Sequence, residues 1–124
     1  MKRIIIMLML MSLTVGCGLL NKDKEAIQQI ENNLNLILGS ELINQTSSNP
    51  YDYITIHSEE FNNIVSSDEI ALNYFLSVFE EGSENGLKEY IMAAVCVEIL
   101  GNENFVKDWS SGRDWYQQYT GSGT

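Results

Sequence analysis

Between Glu89 and Glu98 the chain runs Tyr90-Ile91-Met92-Ala93-Ala94-Val95-Cys96-Val97, eight residues without a charge, at the centre of a stretch from Leu87 to Leu100. No apolar stripe can be drawn on it at helical spacing, since Leu87, Ile91, Ala94 and Val95 fall on one side and Met92, Cys96, Ile99 and Leu100 on the other. A helix that is apolar all round is a buried helix. At roughly 1.5–3 kcal/mol per fully buried large side chain, it is the largest single stabilising element this chain can offer. Asn85 is placed to cap its start, and Gly101 can take the left-handed conformation that ends it. Every other segment must therefore cover this helix, which fixes an all-α expectation.

The segment before it supplies the first cover. Ser66-Ser67-Asp68-Glu69 has the pattern of a capping box. The helix it opens carries Leu72, Phe75, Leu76 and Phe79 at i, i+3, i+4 and i+7, with Ala71, Tyr74 and Val78 widening the stripe. Gly82 ends it, and the short turn that follows makes helices 68–81 and 86–100 an antiparallel hairpin at the centre of a small helical domain spanning residues 50–120. Upstream, Pro50 suits the first position of a short helix with Asn49 as cap and Tyr51, Tyr53 and Ile54 as its apolar residues. Ser58 can cap another short helix bearing Phe61, Ile64 and Val65. Downstream, a last helix can start at Ser110-Ser111-Gly112 and carries Trp115, Tyr116 and Tyr119, before a flexible tail over 121–124. Tyr53-Ile54-Thr55-Ile56-His57 is the best strand candidate and is short.

The N-terminus belongs to a different kind of sequence. Lys2 and Arg3 form a positive n-region, and Ile4 to Leu13 is an almost unbroken apolar run, too short to span a membrane, which needs about 20 residues. It leads into Leu13-Thr14-Val15-Gly16-Cys17. This resembles the lipobox of bacterial lipoproteins, with Thr14 standing where Leu is usual. The resemblance implies removal of residues 1–16 as a signal peptide. Cys17 would become the first residue and carry a diacylglycerol with palmitate-type acyl chains. Two acyl chains suffice for stable anchoring, so the implied location is the extracytoplasmic face of the cell membrane. An ordinary signal peptide is the alternative. Residues 17–24 then form a lipidated tether. An amphipathic helix follows over 25–38, with Ile27, Ile30, Leu34 and Ile37 on one face and Gly39 as its stop. It can lie on the domain or stand as a stalk. Residues 39–49 read as a polar linker.

Loss of residues 1–16 leaves five Lys and Arg against 17 Asp and Glu, a net charge of −12, which disfavours nucleic acid and bare anionic lipid as partners. With Cys17 acylated, Cys96 is the one cysteine left, inside the apolar helix and most simply a small hydrophobe. A disulfide framework is excluded.

Two further resemblances concern the domain. Ala71 to Phe79, a short turn, and Leu87 to Gly101 are similar to one HEAT repeat, a helix pair that stacks into protein-binding scaffolds. One pair is present where an array needs about three. Asn49-Pro50-Tyr51-Asp52-Tyr53-Ile54, the run from Gly86 to Ala93, and Trp109-Ser110-Ser111-Gly112-Arg113-Asp114-Trp115-Tyr116 resemble a module of uncharacterised Gram-positive envelope proteins. That family implies no activity.

Chemistry-bearing residues are sparse. His57 is the single histidine, so any Ser-His-Asp or Cys-His arrangement would have to be built on it, and zinc could not gather several histidines. Gly-rich phosphate loops and a calcium-loop pattern are absent, so neither a cofactor nor a metal is expected. The unusual cluster is Trp109, Arg113, Asp114 and Trp115 with Tyr116 and Tyr119. Aromatics at helical spacing are most often core, and the competing reading is a peptide- or glycan-binding face. The functional expectation is a non-enzymatic interaction or ligand-binding module, held at the membrane and facing an envelope or extracellular partner. The alternative is a carboxylate-based hydrolase using two of Glu59, Glu60 and Glu84.

Overall fold

The computed structural model describes residues 23–39 and 49–121. The signal peptide expected over 1–16, Cys17 and most of the tether, linker residues 40–48 and tail residues 122–124 lie outside them. The described residues are all helical in architecture, with no strand among them. We label the elements α1 (residues 23–38), α2 (Pro50–Ile56), α3 (Ser58–Val65), α4 (Glu69–Glu81), α5 (Leu87–Leu100) and α6 (Gly112–Thr120), with a single 3₁₀ turn over Gly101–Glu103 between the last two.

The all-round apolar stretch is the centre. Of the fourteen residues of α5 only Glu98 is exposed, and Ile91, Met92, Ala93, Val95 and Cys96 are sealed from solvent. α2, α3, α4 and α6 all pack against it. α4 contributes Ala71, Phe75 and Phe79, one residue per turn, as its i, i+4, i+8 spacing requires. α4 and α5 pack together as the expected central pair, and α6 crosses α5 as extensively as α4 does, so it joins that pair at the centre.

Whether α1 is packed or stalk-like is resolved by its stripe. Ile30, Leu34 and Ile37 are buried in the same apolar core as the helices of residues 50–120. Polar contacts hold the other edges of α1, with the Tyr74 hydroxyl of α4 donating to the Glu31 carboxylate and Asn63 of α3 donating to Asn33. Asp23 and Lys24, expected in the tether, are already helical.

Several helix starts differ from the sequence reading, each for a local reason. The capping box at Ser66 does not form, because Ser66 leaves α3 in helical conformation and a three-residue turn separates α3 from α4. Ser66, Ser67 and Asp68 donate their backbone N–H groups back to Asn62, Ile64 and Val65, and the Ser66 hydroxyl donates to the Asn63 carbonyl. The corner is turned at Asp68, with φ 52° and ψ −124°, which are the angles of the first central residue of a type II′ turn and suit glycine. Ser58 lies inside α3, whose N-cap position is held by His57 without a side-chain bond. The strand candidate over 53–57 is helical, since Asn49 accepts from the Tyr51 N–H and Pro50 takes the first helical position. At the other end of α5, Gly101 ends the helix with φ 54° and ψ −121°, a positive φ but not the left-handed helical conformation expected, since ψ matches the type II′ corner at Asp68.

Candidate functional site

Three helix starts converge on one face. Pro50 and Tyr53 from the start of α2, Asn85, Gly86, Leu87 and Tyr90 from the start of α5, and Ser110 and Ser111 from the approach to α6 line a groove of about 320 Å³. All eight are uncharged. That is unusual company for a chain this acidic, and it results from how the neighbouring charges are spent.

Glu89 is buried and folds its carboxylate back onto the Gly86 N–H at 2.7 Å. With glycine at the N-cap only this half of a capping box can form. Asn85, expected as the cap, reaches elsewhere, and its side-chain oxygen accepts from the Arg113 N–H at 3.3 Å. α6 is capped reciprocally. The Ser111 hydroxyl accepts from the Asp114 N–H, and one Asp114 oxygen accepts from the Ser110 N–H at 2.8 Å and from its hydroxyl at 3.2 Å. The second Asp114 oxygen accepts from Gln118. These donors, the Ser110 backbone first and Gln118 next, hold the Asp114 carboxyl below its ordinary value, with desolvation opposing them. Arg113 turns away from solvent chemistry as well. Its guanidinium donates to the Phe79 carbonyl at 2.6 Å and to the Glu84 carbonyl at 3.0 and 3.2 Å, and it lies over the stacked rings of Phe79 and Tyr116. A cation at the last carbonyls of α4 is favoured by the helix dipole and by those orphan acceptors.

The four residues singled out from sequence therefore have different fates. Trp115 is 0 % exposed, donates its indole N–H to buried Asn104 at 3.1 Å, and stacks on Tyr119. It has no surface to offer a ligand. Arg113 and Asp114 are committed to fastening α6. Trp109 keeps a partly open ring beside the groove, half-buried and tilted against Tyr90 with ring centres 5.0 Å apart. The groove residues themselves were visible in the sequence only as separate helix starts, Asn49-Pro50, Asn85-Gly86 and Ser110-Ser111, with nothing to say that they meet.

The seating of α6 beside the groove depends on Gly112. A Cβ there would fall 2.0 Å from the Glu89 carbonyl oxygen and 2.7 Å from the Tyr90 nitrogen, so the start of α6 lies directly on the α5 backbone. This contact brings Ser110 and Ser111 up to Tyr90.

Elsewhere the chemistry is thin. His57 sits at the junction of α2 and α3, its Nδ1 3.5 Å from the Glu60 carboxylate and its Nε2 buried without a hydrogen-bond partner. Glu59 follows His57 on α3 and is exposed, as is Glu84 in the α4–α5 turn. The Cys96 thiol is pushed up to about 12 by burial, which leaves it protonated and unreactive. Among the described residues no group of three or more His, Cys, Asp or Glu side chains could hold a metal ion, and no helix is long and apolar enough to cross a membrane. Comparison with protein-family models, with curated proteins and with solved structures gives no match for this chain.

Proposed function

We propose that this chain is a lipid-anchored extracytoplasmic binding module, tethered through Cys17 and using the groove between the starts of α2, α5 and α6 to hold a ligand or envelope partner without chemical turnover. The observation that carries the binding half of the reading is the groove itself. Its walls are aromatic, apolar and uncharged polar, with Tyr53, Tyr90, Leu87, Asn85, Ser110 and Ser111 around one space. A concave mixed lining of this kind is the usual form of a binding site. Among the charged side chains bonded beside the groove, Glu89, Arg113 and Asp114 are engaged with the protein's own backbone. The anchoring half rests on the sequence from Met1 to Cys17. If that anchor is made, five residues separate Cys17 from helical Asp23, which keeps the domain within about 20 Å of the bilayer at the chain's maximum reach.

The two halves are tested separately. Metabolic labelling with an alkyne fatty acid is expected to mark the wild type and not Cys17→Ser, and label that survives the substitution refutes the anchor. A photo-crosslinking amino acid at Ser110, in the groove, is expected to capture partners from intact envelopes that the same probe at Glu98, on the exposed edge of α5, does not. Equal capture at both positions removes the groove from the reading.

A further inference from the structure

Resting on that reading of the groove as a binding site, we infer that its occupant is a neutral saccharide. The first argument is electrostatic. None of the eight lining residues carries a charge, and at two of the three helix starts, where an anion would otherwise be drawn, the protein's own carboxylates already accept, Glu89 from the Gly86 N–H and Asp114 from the Ser110 N–H, while Asn49 caps the third. An anionic ligand would have to displace these groups on a chain of net charge −10. A cationic one finds no unspent carboxylate among the lining residues.

The second argument is the kind of contact on offer. Tyr90, its ring tilted against Trp109, and Leu87 give an aromatic and aliphatic surface, and Asn85, Ser110 and Ser111 stand around it with an amide and two hydroxyls. A pyranose has the matching form. Its axial C–H face packs on the negative face of an aromatic ring, and its equatorial hydroxyls both donate and accept around the rim. A peptide is matched less well. Strand addition needs a sheet edge, and there is no strand among the described residues. A polyproline segment needs several open aromatic ridges, whereas Tyr53 is only 8 % exposed. At about 320 Å³ the groove is at the small end of ligand sites, suited to one or two sugar rings.

The test uses the full chain in a sugar-free detergent such as lauryldimethylamine oxide, with chitotriose and maltotriose as neutral probes, trigalacturonate and chitosan trimer as charged ones, and an acetylated, amidated triproline as the peptide probe. Saturation-transfer NMR detects binding, and tryptophan fluorescence gives the affinity. The expected result is saturable binding of at least one neutral trisaccharide, at least tenfold tighter than either charged trimer. Tyr90→Leu keeps an apolar side chain against Trp109 and should weaken that binding at least tenfold with little change in melting temperature. Ser110→Ala, at an exposed position, should weaken it several-fold and serves if the first variant melts early. No saturation by either neutral trisaccharide in a natively melting protein, equal binding of a charged trimer, or preference for triproline overturns the assignment. Position-specific crosslinking at Ser110 without saccharide binding defeats the saccharide alone, whereas loss of both defeats the binding-module reading.

Discussion

Replacing Gly112 by alanine tests the seating of α6 with an unusually clean sign. Near the start of a helix, Gly→Ala ordinarily stabilises by about 0.4–1 kcal/mol, because the unfolded chain loses conformational freedom and the helix gains a better former. Here the added methyl would lie 2.0 Å from the Glu89 carbonyl oxygen and 2.2 Å from its carbon, whereas ordinary contact begins at 3.4 Å, a shortfall of 1.4 Å against the oxygen. Both obstructing atoms are backbone of the buried central helix, so no side chain can swing aside. α6 has to lift away, and a gap of 0.5–1 Å already forfeits a quarter to a half of the dispersion contacts across it. The side chain that loses them is Trp115, fully buried against Phe79, for which complete truncation would cost about 3–5 kcal/mol. Half of that, with overpacking strain of about 1–3 kcal/mol and less the ordinary gain of about 0.4–1 kcal/mol, gives a net destabilisation of about 2–5 kcal/mol. At about 4 °C per kcal/mol for a domain near 100 residues, the melting temperature should fall by about 8–20 °C. Differential scanning fluorimetry measures the shift, and near-ultraviolet circular dichroism reports whether Trp115 has lost its fixed environment. Gly86→Ser, where a Cβ meets only the Glu89 carboxylate at 3.6 Å, is the control and should stay within about 0.5 kcal/mol. A melting temperature for Gly112→Ala that is unchanged or raised would show that α6 does not sit on the α5 backbone.

Asp68→Gly should stabilise by about 0.5–1 kcal/mol, since glycine adopts the positive φ without the cost an L side chain bears there, less its own unfolded-state entropy; a lower denaturation midpoint would refute the strain. The Tyr74 phenol is pushed up to about 12, chiefly by burial and next by its hydrogen bond to Glu31. The folded state thus holds the proton more tightly than the unfolded chain, so this contribution is complete below pH 10 and is lost as pH rises from about 10 to 12. Alkaline unfolding of Tyr74→Phe should be less steep than wild type over that window, and identical curves would exclude the linkage. Ala93→Asp, at a position 0 % exposed, should cost several kcal/mol and more than Ala94→Asp, whose site is only partly buried; chemical denaturation yielding the reverse order would mean that α5 is rotated from the orientation described.

How far the fold can be read from the residues depends on whether the signal is local. α5 is legible because its burial is written in every one of its turns, and the stripe of α1 and the Asn49-Pro50 start of α2 are legible for the same reason. The capping boxes show where local reasoning stops. Ser66 to Glu69 has the right letters, but the box needs the chain to enter α4 from an extended Ser66. α3 instead delivers it in helical conformation, and the Ser66 hydroxyl finds the Asn63 carbonyl first. At α5 the box is half made, from Glu89 to Gly86, and Asn85 is drawn off by Arg113, a partner 28 residues away that no window on the sequence includes.

The aromatic cluster at the C-terminus illustrates the same limit at the level of function. Trp109, Arg113, Asp114 and Trp115 are the residue types of a binding face, but a nine-residue helix has to be fastened, and its marginal intrinsic stability is made good by the same groups. Trp115 fills the core, Arg113 ties α6 to the Phe79 carbonyl in the last turn of α4 and to the Glu84 carbonyl beyond it, and Asp114 closes its own cap. Gly112, which looks in sequence like a turn residue, allows the close approach that makes all three possible. What remains at the surface is the by-product of that fastening, in which three helix starts are drawn together with Glu89, Arg113 and Asp114 bonded to the protein itself and Tyr90, Asn85, Ser110 and Ser111 left around a shared space. Binding capacity and the attachment of α6 are therefore coupled. Any substitution that loosens α6, Gly112→Ala first among them, should dismantle the groove while leaving the groove's own residues unaltered.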